Sequence, residues 1–212
     1  ISNLAFSEDV WATIDSLSAI GARIERIGED TVKVTGIGGK PRSICALCCR
    51  ASGSTLRFLI PICLLSPEKF ELIGNKKLFA RPLGIYAELF WDRYLGVKKK
   101  LLTLSAGEPL RAGEYRVAGN ISSQFITGLL FALPLCKGDS KIIVNGNFES
   151  ASYVDLTLDT LAKFGIEIQK GNNIFYIKGG QNYLPTDIKI EGDASNAAFF
   201  EAANILGGKD EV

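Results

Sequence analysis

Three stretches place hydroxyl groups where they could hold an anion. Asn120-Ile121-Ser122-Ser123-Gln124-Phe125 leads into an uncharged apolar run, Ile126 to Leu135, while Gly53-Ser54-Thr55-Leu56-Arg57 and Asp193-Ala194-Ser195-Asn196 lead into runs of the same kind. A helix that is apolar on nearly every side is buried, and only its polar end can meet a ligand. There the first backbone N–H groups have no intrahelical partner, and the helix dipole favours phosphate or carboxylate. Ser122 and Ser123 read as hydroxyl caps on such an end, and Gln124 adds a carboxamide. One helix mouth contributes only about 0.3–1 kcal/mol to an anion and one charge-assisted hydrogen bond about 1.5–3 kcal/mol, so a useful site needs several together.

Two further stretches supply them. In Phe79-Ala80-Arg81-Pro82-Leu83-Gly84 the proline suits a first helical turn, which puts Arg81 at the mouth, where a guanidinium can fork onto phosphate or carboxylate. Glu149-Ser150-Ala151-Ser152-Tyr153 occupies the matching place further along, with hydroxyls instead of a charge. Gly53, Ser54, Arg57, Arg81, Ser122, Ser123, Gln124, Ser150 and Tyr153 thus form a set at helix N-termini or in first turns. Gathered on one face, they suit a small polyanion that also carries hydroxyl groups.

The elements that must position this set recur. Ser54, Ser123 and Ser195 are 69 and 72 residues apart. Val10, Ile14, Leu17 and Ile20 have amphipathic helix spacing and end at Gly21; Val154, Leu158, Leu161 and Phe164 do the same and end at Gly165. Ile85, Leu89 and Leu95, ending at Gly96, read as a weaker copy broken by Asp92. Short alternating segments follow, such as residues 22–27 and 166–169, and read as half-buried strands. A period of about 70 residues points to one β-α-β-α-β-β unit used several times around a common core, an α/β fold. Residues 1–40 hold the second half of such a unit and residues 191–212 the first half of another, so the expectation is a chain truncated at both ends.

Composition narrows the chemistry. The net charge of +1 argues against a general nucleic-acid or membrane surface, and Lys98-Lys99-Lys100 reads as a solvated turn. The apolar runs are too short to span a bilayer. With no histidine, Ser-His-Asp and Cys-His systems are excluded within this chain. Asp155 and Asp159, at i and i+4, read as a solvated helix face. Cys45, Cys48 and Cys49 form a cluster without an evident fourth ligand, so no metal is expected, and the odd total of five cysteines points to a reducing, cytoplasmic setting.

In their order and spacing, Gly53 to Arg57, Arg81 to Gly84, Asn120 to Phe125, Glu149 to Asp155 and Glu191-Gly192-Asp193-Ala194-Ser195 resemble the EPSP synthase family of enolpyruvyl transferases over essentially the whole chain. The resemblance implies two domains, each a pseudo-threefold inside-out α/β barrel of the unit read above. Residues 1–190 would be the shikimate 3-phosphate-binding domain without its N-terminal part, and 191–212 the crossover and first helix of the second. The implied reaction transfers the enolpyruvyl group of phosphoenolpyruvate to the 5-hydroxyl of shikimate 3-phosphate, releasing phosphate, with no cofactor. Ser122, Ser123, Gln124, Ser150 and Tyr153 would hold shikimate 3-phosphate. Gly53, Arg81 and Gln124 would receive phosphoenolpyruvate, with Arg57, Ser54 and Asp193 as further candidates and no catalytic residue in this chain. The remaining half of the same polypeptide would be the protein partner of an otherwise monomeric enzyme, with no nucleic acid or membrane involved, and this chain alone would be inactive. Ala51, Ala151 and Ser152 depart from the family pattern, and its N-terminal Lys-Ser motif is missing. Two other readings stand beside this one: a UDP-N-acetylglucosamine enolpyruvyl transferase, and a non-catalytic ligand-binding module of the same fold.

Overall fold

The computed structural model describes residues 1–206, apart from the side chains at positions 94, 95 and 194–196. The chain opens with α1 (Glu8–Ala19), capped by Ser7, whose Oγ accepts from the Val10 N–H. Gly21, at φ 109°, ends this helix in the conformation that suits glycine. A hairpin of β1 (Arg23–Arg26) and β2 (Val32–Thr35) follows.

Two complete units come next. The first runs β3 (Leu47–Cys48), α2 (Gly53–Cys63), β4 (Phe70–Ile73), short helices α3 (Lys76–Phe79) and α4 (Gly84–Leu89), β5 (Tyr94–Lys98) and β6 (Leu101–Leu104). The second runs β7 (Glu114–Ala118), α5 (Gln124–Ala132), β8 (Ser140–Asn145), α6 (Ala151–Lys163), β9 (Ile168–Gly171) and β10 (Ile174–Ile177). Their sheets have the same order, β3-β4-β6-β5 and β7-β8-β10-β9, with the first pair parallel and the others antiparallel. A parallel pair needs a crossover, and the buried helices α2 and α5 supply it.

The third unit is assembled from both ends of the chain. Ser2 bridges Lys189 in parallel, while Ile1 exchanges hydrogen bonds with Val32 of β2. Residues 188–190, residues 1–3, β2 and β1 therefore repeat the order of the other two sheets. After 190 the chain continues into α7 (Ala194–Ile205).

The core lies between α2 and α5 and the sheets. Leu56, Ile60, Ile126, Leu129 and Leu130 have essentially no exposed surface, and such burial stabilises by about 1.5–3 kcal/mol per side chain. The two helices approach closely because Gly128 has no side chain: a Cβ there would lie 2.6 Å from the Arg57 carbonyl oxygen and 2.4 Å from Tyr86 Oη. Pro61 has no N–H to offer the carbonyl of Arg57 four residues earlier. The buried Tyr86 hydroxyl fills that gap, lying 2.9 Å from Arg57 O and 3.0 Å from Phe125 O, and so ties α2 to α5. Threonine pairs join the outer helices to the inner ones: Thr13 Oγ1 is 2.8 Å from Thr55 Oγ1 between α1 and α2, and Thr127 Oγ1 is 3.0 Å from Thr157 Oγ1 between α5 and α6.

Three sequence expectations change. Gly96 does not end a helix. It sits within β5 at φ 85°, where the pairing with β6 shifts register, because α4 stops at Leu89 and Arg93 turns inward to donate to the carbonyls of Leu64, Ser66 and Ser105. Pro82 lies before the α4 cap, Leu83, and not inside the helix. Ser52, not Ser54, caps α2, accepting from the Thr55 N–H at 3.3 Å. The expected mouth at Ser195 falls on a side chain outside those described, and 207–212 lie outside the described residues. Among the described residues no helix is long and apolar enough to cross a membrane.

Candidate functional site

The N-termini of α5 and α6 open into one cavity of about 540 Å³, bordered by Ser122, Ser123, Gln124, Ser150 and Tyr153. At both helix starts the serine just before the first turn makes no side-chain cap. Ser123 is the residue before α5, in helical conformation (φ −53°, ψ −21°), and makes no side-chain cap, so its Oγ is left for another partner. Ser122 Oγ accepts from the Gln124 N–H at 3.4 Å, a weak contact. Ser150, at φ −108° and ψ 34°, leaves the first turn of α6 without a side-chain cap as well. The cap anticipated from sequence at Ser123 is therefore absent, and Ser122 keeps only its weak contact to the Gln124 N–H. At α5 the Gln124 and Phe125 amides already donate to Ser122, the first weakly to its Oγ and the second to its carbonyl, so the donors offered to an anion here are the Ser123 and Ser150 hydroxyls and the start of α6.

The rest of the wall is mixed. Tyr153 is 60% exposed and offers a ring face at the rim. Phe58, Thr127, Phe131, Leu156, Thr157 and Thr160 complete the lining. Sequence reading missed these because their places on α2, α5 and α6 become neighbours only after the helices pack. The one usable signal was threonine at 127 and 157, hydroxyls inside otherwise apolar helical stripes. No carboxylate, lysine or arginine is among the described residues that border this cavity, so it is built to bind and supplies no group poised for proton transfer near neutral pH.

Gln124 belongs to a second cluster too. Arg57 Nη1 donates to Gln124 Oε1 at 2.7 Å. A Cβ on Gly53 would lie 2.6 Å from Arg81 Nη1, 3.1 Å from Arg57 Nη1 and 3.7 Å from Gln124 Oε1. The bare backbone of Gly53 is thus faced by two guanidiniums and a carboxamide. Arg57 is only 8% exposed, its guanidinium carbon 5.1 Å from the Phe125 ring centroid. Burial, followed by the charge of Arg81, pushes its pKa below the usual arginine range, with Tyr86 opposing. Arg81 is exposed between α3 and α4, and its guanidinium makes no hydrogen bond or ion pair to any described residue. A guanidinium beside a glycine at a helix start can take a small anion such as a phosphate or carboxylate, and the second cation adds to the positive field there.

The structure brings together most, but not all, of the sequence candidates. Ser122, Ser123, Gln124, Ser150 and Tyr153 share the cavity, and Gly53, Arg57 and Arg81 meet at Gln124. Ser54 is half-buried and turned to Ser52, with their Oγ atoms 3.2 Å apart, and Asp193 is exposed ahead of α7; neither borders the cavity. The five cysteines are all free thiols, with Cys45 exposed and Cys49, Cys63 and Cys136 buried.

Comparison with known proteins bears on what such a cavity serves. A family model described as EPSP synthase (3-phosphoshikimate 1-carboxyvinyltransferase) matches residues 1–212. A relative from Clostridium perfringens (strain SM101 / Type A), named 3-phosphoshikimate 1-carboxyvinyltransferase, is 45% identical over 213 residues, which are 99% of this chain and 50% of that protein. A relative of the same name from Clostridioides difficile (strain 630) is 44% identical over 221 residues, 98% of this chain and 50% of its own length. Among solved structures, EPSP synthase from Acinetobacter baumannii aligns with a TM-score of 0.76 at 23% identity over 92% of this chain and 45% of that one, a likeness of fold. The chain spans about half the length of the curated relatives it matches.

Proposed function

The chain belongs to the EPSP synthase family, and from that premise we propose that it forms the shikimate 3-phosphate-binding part of an enzyme transferring the enolpyruvyl group of phosphoenolpyruvate to the 5-hydroxyl of shikimate 3-phosphate. The observation that carries this reading is the shared cavity at the N-termini of α5 and α6, where Ser123 and Ser150 keep their hydroxyls for a ligand and Ser122 is held only by a weak contact to the Gln124 N–H. These three hold the 3-phosphate, at the positive ends of α5 and α6. Tyr153 packs its exposed ring against the carbocycle, and Gln124 stands between the two substrates. Gly53 and Arg81 receive phosphoenolpyruvate, the glycine by close backbone approach and the arginine by charge.

The reaction forms a C–O bond from the acceptor oxygen to C2 of the enolpyruvyl group and breaks the bond from C2 to the phosphate oxygen. Residues bordering the cavity bind and orient, and the proton transfers fall to groups outside this chain. Residues 1–190 are the substrate-binding domain, and 191–212 pass to its partner domain in the same polypeptide. One surface supports that division: α7 exposes Phe199, Phe200 and Ile205. We place the complete enzyme in the cytoplasm, since free thiols suit a reducing compartment, and take it as a monomer from the family resemblance alone.

Calorimetric titration with the two family acceptors tests the reading. Shikimate 3-phosphate is expected to bind and UDP-N-acetylglucosamine not to bind. Binding of the nucleotide sugar alone would move the assignment to the sister transferase, and binding of neither would remove it.

A further inference from the structure

We propose that Arg57 is a positioning residue that acts on the ligand only through Gln124, fixing its carboxamide so that Nε2 faces the cavity. The inference rests on the function proposed above for the identity of the ligand. The orientation itself follows from atoms in the unliganded chain. A guanidinium carries only donors, so the carboxamide atom 2.7 Å from Arg57 Nη1 has to be the oxygen. The amide N–H groups of Gln124 are then left for the cavity that its side chain borders, without a hydrogen bond to any described residue. A phosphate or carboxylate offers only acceptors, so this is the productive orientation, and the reversed one would set oxygen against oxygen.

The surroundings of Arg57 suit holding more than binding. It is nearly buried, stacked on Phe125, and its Nε is enclosed without a partner. Its single side-chain hydrogen bond among the described residues goes to Gln124. Arg81, by contrast, is exposed and unpaired beside the same glycine. Of the two cations, Arg81 is the one free to reach a ligand and Arg57 the one already engaged.

A double-mutant cycle on shikimate 3-phosphate affinity separates the two roles. Gln124→Leu is expected to weaken binding about tenfold and Arg57→Met severalfold. The double variant should bind within about twofold of Gln124→Leu alone, because Arg57 has nothing left to position. Losses that multiply would mean that Arg57 meets the ligand itself and would overturn the proposal. A ligand-free measurement decides it independently. The ¹⁵N-labelled Gln124 side-chain amide should give two distinct, shifted resonances that move to the solvated-amide region in Arg57→Met, while resonances unmoved by that substitution refute the role. Should Arg57→Met fail to fold, Gln124→Glu makes the test in its place. The carboxylate accepts the same donor but has no N–H for the cavity, so binding as tight as that of the unaltered chain contradicts the proposal. If the unaltered chain does not bind shikimate 3-phosphate, the functional reading fails and the amide resonances alone judge this inference.

Discussion

Removing one hydroxyl group, in Tyr86→Phe, probes the contact that sets the two site helices against each other. In α2 the carbonyl of Arg57 has no donor at position 61, which is proline, and Tyr86 Oη at 2.9 Å takes that place. The Phe125 carbonyl at 3.0 Å retains the i+4 amide of α5. The substitution therefore strands one buried carbonyl and not two. Ring packing survives, since Tyr86 meets Phe90 and Phe125 at centroid distances of 5.5 and 4.9 Å through carbon atoms. No cavity opens, and the cost is that of an unpaired buried acceptor, about 1–3 kcal/mol. For a chain of this length that lowers the midpoint of thermal unfolding by about 2–4 °C per kcal/mol. Urea unfolding should show a lower midpoint with an unchanged slope, because the surface exposed on unfolding is the same. Tyr115→Phe serves as a control, since its hydroxyl donates to the exposed carbonyl of Arg111. A Tyr86→Phe variant as stable as the unaltered chain would refute the claim that this hydroxyl substitutes for the missing proline N–H.

Four further outcomes follow from the geometry. Gly53→Ala places a methyl 2.6 Å from Arg81 Nη1; the exposed arginine swings away with little loss of stability, and ³¹P titration should show phosphoenolpyruvate binding weakened about tenfold or more. Ser123→Ala and Ser150→Ala leave folding intact, because neither hydroxyl caps its helix, and each should weaken shikimate 3-phosphate binding about tenfold by calorimetry. Burial raises the thiol pKa of Cys49 to about 12 and that of Cys136 to about 11, and pushes Cys63 up further; a thiol reagent at pH 8 should label Cys45 first, and stability should fall from about pH 9 upward, where the unfolded chain releases protons that the folded chain keeps. Product formation is expected to be nil for the 212-residue chain alone, and a steady-state assay that detects turnover would disprove the assignment of proton transfer to groups outside it.

What could be read from the sequence was local. Gly21 and Gly165 end α1 and α6 as their spacing after apolar stripes required, and the apolar runs after Arg57 and Gln124 form the buried helices. The failures lie where a distant group decides. Gly96 matched the other two glycines in spacing, yet Arg93 draws that stretch into a sheet by reaching carbonyls as far away as residue 64. The hydroxyl of Ser123 looked like a cap because residue type predicts capping, while its backbone has helical angles in place of the extended ones a cap adopts. The pairing of Ser2 with Lys189, and that of Arg57 with Gln124 across 67 residues, has no local signature at all. The candidate residues were therefore legible as types at helix starts. Their division into one cavity and one cationic cluster, joined by Gln124, was not.

The most direct test of the account is a titration of the ¹⁵N-labelled chain with shikimate 3-phosphate, followed at backbone amides. Shifts are expected to concentrate at Ser122 to Thr127 and at Ser150 to Tyr153, the two helix starts that border the cavity. Saturation with shifts confined to the apolar groove around Leu17 and Leu65, or no shifts at millimolar ligand, would contradict it.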